Sequence, residues 1–287
     1  MLKFVLPYGI VRAYQTAHER DWLRAQLEAE RTVARDQAEV RNAQLVTTTQ
    51  EQTDREQRAQ EEERKLFHEN EIVYNGKRVF TRASVPNTTL NMGGTGNIIS
   101  LNEFTGAGHV ILMIQDKVTA CTVSIGKNNT INGNLILQFY YGGGRWPNKS
   151  TIKIGDRNVI NGNLCLVGGL QSGTVVSIGN ENLFADNINL IGAADHLTYN
   201  VKTNEKYCTE FGVSIKDRVW VCREALLLNG SCVGPDSIVA ARSVVNREFN
   251  EKNVLIAGIP ASVKKTDVMW HLNTTDDYLS STSPLMI

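Results

Sequence analysis

The sequence lacks an excess of charge of either sign. Thirty basic side chains balance thirty acidic ones, so the formal net charge is zero at pH 7. A protein that binds the phosphate backbone of nucleic acids carries a clear excess of positive charge. The balance therefore argues against a nucleic-acid partner.

Cysteine is scarce and its spacing follows no pattern. The count of five is odd, and no CxxC pair occurs among Cys121, Cys165, Cys208, Cys222 and Cys232. Such cysteines suit neither a disulfide framework nor a zinc ribbon. We therefore expect a protein of the reducing cytoplasm without a metal site.

Long hydrophobic runs are missing as well. The opening MLKFVLPYGIVRAY has a short apolar run broken by Pro7 and Gly9. A membrane-spanning helix needs about 20 apolar residues, and the small-residue cleavage site of a secretory signal is absent. The sequence predicts a cytoplasmic protein with a packed N-terminal segment. A peripheral contact of this segment with the inner membrane is the alternative.

Glycine and proline are absent from Ala17 to His68, where Glu, Gln, Arg and Ala dominate. This composition favours one long helix. Its apolar residues are few and follow an 11-residue spacing, as in Leu23, Ala34 and Leu45. A helix this polar gains little by folding alone, so we predict that residues 1–70 form a helical stalk with a weak coiled coil. A single solvated helix is the alternative.

After Asn70 the composition changes to glycine, asparagine and β-branched residues, and a repeat begins. Four versions of one unit are VSIGKNNTINGNLILQ, TIKIGDRNVINGNLCLVGG, VSIGNENLFADNINLIGA and VSIKDRVWVCREALLLNG. A large apolar residue recurs every six positions, most regularly at Ile215, Val221, Leu227, Val233, Val239 and Val245. A small residue lies four positions after each of Val221, Leu227, Val233 and Val239, namely Ala225, Ser231, Ser237 and Ser243. This period predicts a parallel β-solenoid whose chain turns a corner every six residues.

The segment Val213–Lys265 resembles the C-terminal coils of hexapeptide-repeat acyltransferases, and the resemblance extends over about Val123–Trp270. It implies a left-handed parallel β-helix, a handedness that comes from the resemblance alone because parallel crossovers are usually right-handed. The spacing of SIG at Ser177, DH at His196 and VW at Trp220 is most similar to bacterial capsular polysaccharide O-acetyltransferases, including sialic-acid-type ones.

Four regions follow for the chain. Residues 1–70 form the helical stalk, residues 71–122 the entry coils of the solenoid, residues 123–270 the acetyltransferase domain, and residues 271–287 a C-terminal tail. The N-terminal segment is also a candidate for contact with capsule-assembly proteins.

The resemblance implies that His196, in ADHLTY, is the catalytic base. A neutral imidazole can accept the proton of a sugar hydroxyl as the oxygen attacks a thioester. The alternative for His196 is a structural role in the bend. Asp195 either orients the ring or is a solvated loop residue. The resemblance implies that Trp220 lies near the thioester. The alternative is that Trp220 is a large residue at the rim of the solenoid.

The resemblance also implies acetyl-CoA as co-substrate, bound in a groove between the subunits of a homotrimer. The matching positions are Trp220, Cys222, Arg223, Ala241, Asn246, Arg247, Ser262, Lys264 and Lys265. Basic side chains suit the phosphate groups of coenzyme A. Two departures from the family pattern are Cys222, where glycine is usual, and AARS at Ala240–Ser243, where GAGS is common.

For the acceptor, Asn187 is a candidate contact, with a turn-forming role as the alternative. The segment Leu137–Ser150 interrupts the repeat with Phe139, Arg145 and Trp146. Aromatic faces stack on sugar rings and arginine pairs with carboxylates, so this loop is a candidate for holding an acidic glycan. Packing at the trimer interface is the alternative.

Together these patterns predict an O-acetyltransferase acting on a sugar hydroxyl of a bacterial capsular or surface polysaccharide, with His196 as base in a direct transfer. A relay through a thioester on Cys222 is the rival mechanism. Alternative functions are an N-acetyltransferase of an amino-sugar nucleotide and a non-catalytic β-solenoid scaffold, because the fold alone does not choose among them.

Overall fold

The structure is a computed structural model that describes residues 8–140, 148–169, 172–193, 196, 198–207 and 212–272. Within these residues it has one α-helix, α1 (Tyr8–Glu69), and one 3₁₀ helix (Arg82–Ser84). The strands are β1 (Glu71–Tyr74), β2 (Lys77–Arg78), β3 (Thr88–Met92), β4 (Ile98–Leu101), β5 (Phe104–Thr105), β6 (His109–Ile114), β7 (Thr122–Ile125), β8 (Asn129–Ile131), β9 (Asn134–Phe139), β10 (Thr151–Ile154), β11 (Val159–Ile160), β12 (Leu164–Val167), β13 (Val175–Ile178), β14 (Leu183–Phe184), β15 (Ile188–Ile191), β16 (Val213–Ile215), β17 (Trp220–Val221), β18 (Leu226–Leu227), β19 (Ser231–Val233), β20 (Ile238–Val239), β21 (Val244–Val245), β22 (Glu248–Phe249), β23 (Leu255–Gly258) and β24 (Ala261–Lys265).

The helix α1 confirms the long N-terminal helix predicted from composition. The predicted apolar row lies in solvent, with Leu23 and Leu45 56% and 58% exposed. The last turns differ, because Leu66 and Phe67 are buried in the core of the β-structure. The chain accordingly divides into two compact units, Met1–Glu61 and Glu62–Ile287.

The strands form three sheets that the chain visits in turn. The first sheet has the order β2-β1-β4-β7-β10-β13-β16-β19-β22, the second β24-β23-β20-β17-β14-β11-β8-β5, and the third β21-β18-β15-β12-β9-β6-β3. Neighbouring strands are parallel except for the pairs β1–β2 and β23–β24. The mainly β, parallel architecture is therefore confirmed.

The six-residue period corresponds to the core. Every large residue predicted at this period is buried, and all are at most 3% exposed: Ile125, Ile131, Ile154, Ile160, Ile178, Phe184, Ile215, Val221, Leu227, Val233, Val239 and Val245. The small residues between them are buried too, at Ala225, Ser231, Ser237 and Ser243. Each residue of the period thus points inward from its strand, and longer strands such as β9 bury further large side chains beside it. The small residues fill the space that remains in the later coils.

A ladder of buried asparagines joins the coils where the first sheet turns into the second. The Oδ1 atom of Asn129 accepts the Asn158 N–H at 2.8 Å, Asn158 Oδ1 accepts the Asn182 N–H at 2.9 Å, and Asn182 Oδ1 accepts the Val219 N–H at 2.7 Å. Each amide satisfies a backbone donor of the next coil. The corner therefore needs asparagine for its hydrogen bonds, while the positive φ of each turn falls on the preceding residue, as at Asn128 and Arg157.

Candidate functional site

The longest connection between successive described strands lies between β15 and β16, where the chain leaves the solenoid at Gly192 and returns at Gly212. The Gly212 N–H donates to the Gly192 carbonyl at 2.6 Å, so the two ends meet. We call residues 193–211 the excursion. Because it begins and ends at one corner, it adds a loop without disturbing the coils above and below.

The described tip of the excursion is ordered by local hydrogen bonds. Tyr199 and Lys206 form an antiparallel bridge, and Asn200 Oδ1 accepts the backbone N–H groups of Lys202 and Thr203 at 2.9 and 3.2 Å. This is the Asx-turn chemistry that asparagine favours. The side chain of Val201 at the tip is 98% exposed.

His196 lies in a bend of the excursion with its side chain in solvent. Asp195, its predicted orienting partner, lies outside the described residues. Among the described residues His196 has no hydrogen-bond partner, whereas the His109 ring pairs with Thr89 Oγ1 at 2.8 Å.

Trp220 lies on the outer face of the second sheet, in β17. Its ring centroid is 6.4 Å from that of Trp270, at an interplanar angle of 46°. The Trp270 indole N–H donates to the Arg218 carbonyl at 2.8 Å, which fixes this second ring. Sequence reasoning used Trp270 only as the end of the resemblance and missed the pairing, because the two positions are 50 apart in the sequence.

Cys222 directly follows β17, and its N–H donates to the Val239 carbonyl at 2.9 Å. The side chain is half-buried. Burial raises the pKa of the Cys222 thiol to about 11. The thiolate that an acyl relay requires is therefore a very small fraction at neutral pH.

Asp186 organises the corner between the second and third sheets. Its Oδ1 accepts the Asn163 N–H at 2.9 Å. That hydrogen bond, the N–H of Asn187 and the charge of Arg223 hold the pKa of the Asp186 carboxyl below its ordinary value. Asn187 itself is exposed and has a positive φ of 56°, which is the conformation of the turn-forming alternative.

The departure at AARS has a structural partner. Arg242 Nε donates to Glu224 Oε2 at 2.7 Å, one coil away, and this pairing raises the pKa of the Arg242 guanidinium. Ala241 precedes it at the same corner and is exposed. The larger side chain at position 242 thus lies along the corner against Glu224.

The remaining predicted cofactor residues occupy two other places. Asn246 and Arg247 follow β21, where the third sheet turns into the first, and the Arg247 guanidinium lies 4.9 Å from the centroid of the Phe249 ring. Ser262, Lys264 and Lys265 lie on β24, the edge strand of the second sheet.

His196 does not share a cavity with Trp220 or Cys222 in the part of the chain that the structure describes. His196 follows the third sheet, whereas Trp220 and Cys222 lie on the second, and no cavity found among the described residues is lined by both groups.

The predicted acceptor loop is tested only in part. Arg145 and Trp146 lie outside the described residues. Phe139 lies in β9 and is completely buried in the core, so the interpretation of Phe139 as a sugar-stacking residue is wrong. Its ring fills the inside of a coil and continues the alternation of buried Leu135 and Leu137 in β9, a period-two signal that the sequence contains.

Within the part of the chain that the structure describes, neither α1 nor the 3₁₀ helix is both long and apolar enough to span a membrane. No group of three or more His, Cys, Asp or Glu side chains there is arranged to hold a metal ion.

Comparison with known proteins identifies the fold. No protein-family profile matches the sequence. Over 89 residues the chain is 30% identical to the galactoside O-acetyltransferase of Escherichia coli (strain K12), a segment that covers 31% of this chain and 42% of that protein. The chain spans about two fifths of the length of the curated relatives it matches.

The structure superposes on that of the polySia-specific acetyltransferase NeuO with a TM-score of 0.55 and 21% identity, covering 68% of this chain and 78% of that one. The fold is a left-handed parallel β-helix. The predicted fold class is thereby confirmed, including the handedness that the residues themselves did not supply. The resemblance to hexapeptide-repeat acetyltransferases, and among them to sialic-acid-type O-acetyltransferases, is confirmed with it.

Proposed function

We propose that this chain is an acetyltransferase that moves the acetyl group of acetyl-CoA to a sugar hydroxyl of a bacterial surface or capsular polysaccharide. The observation that carries the proposal is the exposed His196 on an excursion closed by the contact between Gly212 and Gly192. The left-handed β-helix and the partial sequence match to an O-acetyltransferase support the same reaction class.

The proposed chemistry is a direct transfer. The neutral His196 ring accepts the proton of the sugar hydroxyl as its oxygen attacks the thioester carbonyl. When the tetrahedral intermediate collapses, the C–S bond breaks and the departing coenzyme A sulfur takes that proton from the imidazolium. No acyl-enzyme is formed, which agrees with a Cys222 thiol that remains protonated at neutral pH.

The donor site of the proposal lies between copies of the chain. Trp220 and Cys222 would line the thioester end, and Lys264 and Lys265 on the edge strand β24 would contact the phosphates. Cations there have a clear electrostatic reason, because coenzyme A is a polyanion. Since His196 belongs to a different side of the solenoid, we infer a closed homotrimer in which one copy supplies the histidine and its neighbour the donor groove.

The test is transfer of labelled acetyl from acetyl-CoA to a panel of acidic and neutral surface polysaccharides, with amino-sugar nucleotides included. We expect label on a polysaccharide that mild alkali releases, because esters are alkali-labile and amides are not. Alkali-stable label on an amino-sugar nucleotide would instead establish the N-acetyltransferase. Failure of every acceptor to gain label, with no binding of acetyl-CoA, would favour a scaffold.

A further inference from the structure

The three outer faces of the solenoid differ in chemistry. The second sheet presents an apolar row of half-buried side chains in register: Val159, Leu183, Trp220, Ile238 and Leu255. The third sheet presents a mostly apolar row that includes Ile111, Ile136, Cys165, Leu226 and Val244. The first sheet presents small polar side chains instead: Ser100, Ser124, Ser177 and Ser214, with Lys153 in the same row.

This polar row forms a trough. Ser177 Oγ and Ser214 Oγ lie 3.3 Å apart on neighbouring coils. Two adjoining cavities, of about 540 and 510 Å³, share these two serines and Lys216 in their walls. We call the surface of Lys153, Ser177, Ser214 and Lys216 the polar trough. Its length follows the solenoid axis, because Lys153, Ser177 and Ser214 lie on β10, β13 and β16, which are neighbours in the first sheet, and Lys216 directly follows β16.

The charges of the polar trough are unbalanced. Lys153 and Lys216 are exposed, and neither forms an ion pair with another described residue. They are two strand spacings apart along the sheet, which is roughly 10 Å. Lys127 adds a third cation one coil beyond Lys153, at the adjoining corner.

The carboxylates near the polar trough either accept hydrogen bonds from backbone N–H groups or lie toward the end of the sheet. Asp217, in the wall of the larger cavity, accepts the backbone N–H of Asn180 at 2.7 Å. Asp156 accepts the Lys127 N–H at 2.7 Å. Glu248 lies on β22, the terminal strand of the sheet, and lines the far end of the smaller cavity. Because hydrogen-bonded carboxylates keep their charge, the wall of the larger cavity carries two cations, Lys153 and Lys216, against the one anion Asp217.

Apolar and unsatisfied polar groups complete the surface. Val175, 47% exposed, lines the smaller cavity. Ser231, in the wall of the same cavity, is 3% exposed, and its hydroxyl has no hydrogen-bond partner among the described residues. Hydroxyl groups, a small apolar patch and separated cations match the hydroxyls, C–H faces and carboxylates of an acidic sugar chain.

The polar trough begins where the excursion that carries His196 returns to the solenoid. Gly212, where the excursion returns to the solenoid, lines the smaller cavity. A long ligand on the first sheet would thus extend to the base of the loop that carries His196.

We propose that the polar trough binds the acceptor as an extended, carboxylate-bearing polysaccharide, with Lys153 and Lys216 pairing with carboxylates of successive sugars. This rests on the proposed function for the identity of the ligand as an acceptor. The serine hydroxyls bond the sugar hydroxyls between the two cations, and the chain lies along the solenoid axis.

The experiment measures binding of size-fractionated polysialic acid to the full-length protein by calorimetry at low and high salt, with dextran as the neutral polymer. We compare the wild type with K153Q/K216Q, with the charge-preserving K153R/K216R, and with K65Q, an exposed lysine of α1 outside the trough. We expect the glutamine pair to weaken binding by about tenfold or more and to reduce its salt dependence. The arginine pair and K65Q should bind within about twofold of the wild type.

Wild-type binding of polysialic acid that K153Q/K216Q leaves unchanged, or the absence of any such binding, would overturn the proposal. Equal binding of dextran would overturn it too, because charge would then have no part. Circular dichroism and acetyl-CoA binding by the same variants show that the fold is intact. Acetyl transfer to the acceptor panel reports on the proposed function separately. Failure of every acceptor with the wild type refutes the enzyme, whereas glycan binding that does not depend on Lys153 and Lys216 refutes only the trough.

Discussion

At the residue scale, His196 carries the proposed reaction. We expect His196→Ala to lower kcat by about 100-fold to 10,000-fold, the range for a positioned base, with acetyl-CoA binding nearly unchanged. Steady-state kinetics measure the first effect and calorimetry with acetyl-CoA measures the second. Full activity of the variant would leave the histidine without a catalytic role.

Cys222 tests the rival relay. A thiol whose pKa burial raises to about 11 is protonated at neutral pH and forms thiolate only as the pH approaches that value. We expect Cys222→Ser to keep kcat within about threefold, with any loss confined to KM for acetyl-CoA. Alkylation by iodoacetamide at this site should be slow at pH 7 and accelerate steeply above pH 9. A labelled acetyl-enzyme in the wild type that the variant lacks would establish the relay.

At the element scale, the asparagine ladder determines whether the coils stack. Asn158 is buried, bonds the Asn182 backbone and side-chain amides through Oδ1, and donates to the Gly179 carbonyl at 3.0 Å. Asn158→Ala leaves these groups unpaired in the interior. We expect a loss of about 2 to 4 kcal/mol in the free energy of unfolding, measured with urea.

The control for this change is Asn189→Ala, on the outer face of the third sheet. Its side chain has no hydrogen bond with another described residue. We expect a change of at most about 0.5 kcal/mol. Equal losses in the two variants would mean that strand propensity, rather than the ladder, determines stability at these positions.

At the scale of the whole molecule, the end of α1 belongs to the solenoid. Leu66 and Phe67 are 4% and 3% exposed, and Asn70 accepts the Asn97 N–H at 3.0 Å. A chain that begins at Glu62 should therefore fold and retain acetyl transfer to a soluble acceptor. A chain that begins at Glu71 loses two buried apolar side chains, so we expect its melting temperature to fall by several degrees, measured by calorimetry. Equal melting temperatures would contradict this boundary.

The separation of His196 from Trp220 predicts a site shared between copies. Co-expression of His196→Ala chains with Trp220→Ala chains should restore part of the activity that each variant loses, because mixed trimers contain sites with both side chains intact. Mixtures of separately purified, non-exchanging trimers are the control. Light scattering should give a trimer mass, and a lack of complementation in mixed trimers would place the whole site within one chain.

The sequence alone determined the elements that depend on local order. Absence of glycine and proline from Ala17 to His68 was sufficient to predict the helix. The six-residue period was sufficient to predict one row of core residues, because the chain crosses one sheet about every six residues and points the same position of each crossing inward. The residues also indicated His196 by its bend, though only through a family resemblance. Handedness had no local signal, since it depends on how successive coils connect.

Only the tertiary structure decided which residues share a surface. Ser177 and Ser214 are 37 positions apart, yet their hydroxyls meet, because the excursion lengthens one coil without changing the strand register. The repeat does show Ser, Lys, Ser and Ser at one position in VSIG, TIKIG, VSIG and VSIK. That pattern becomes a polar face only when parallel pairing stacks the four positions, and the same pairing keeps His196 and Trp220 on different sides of one chain.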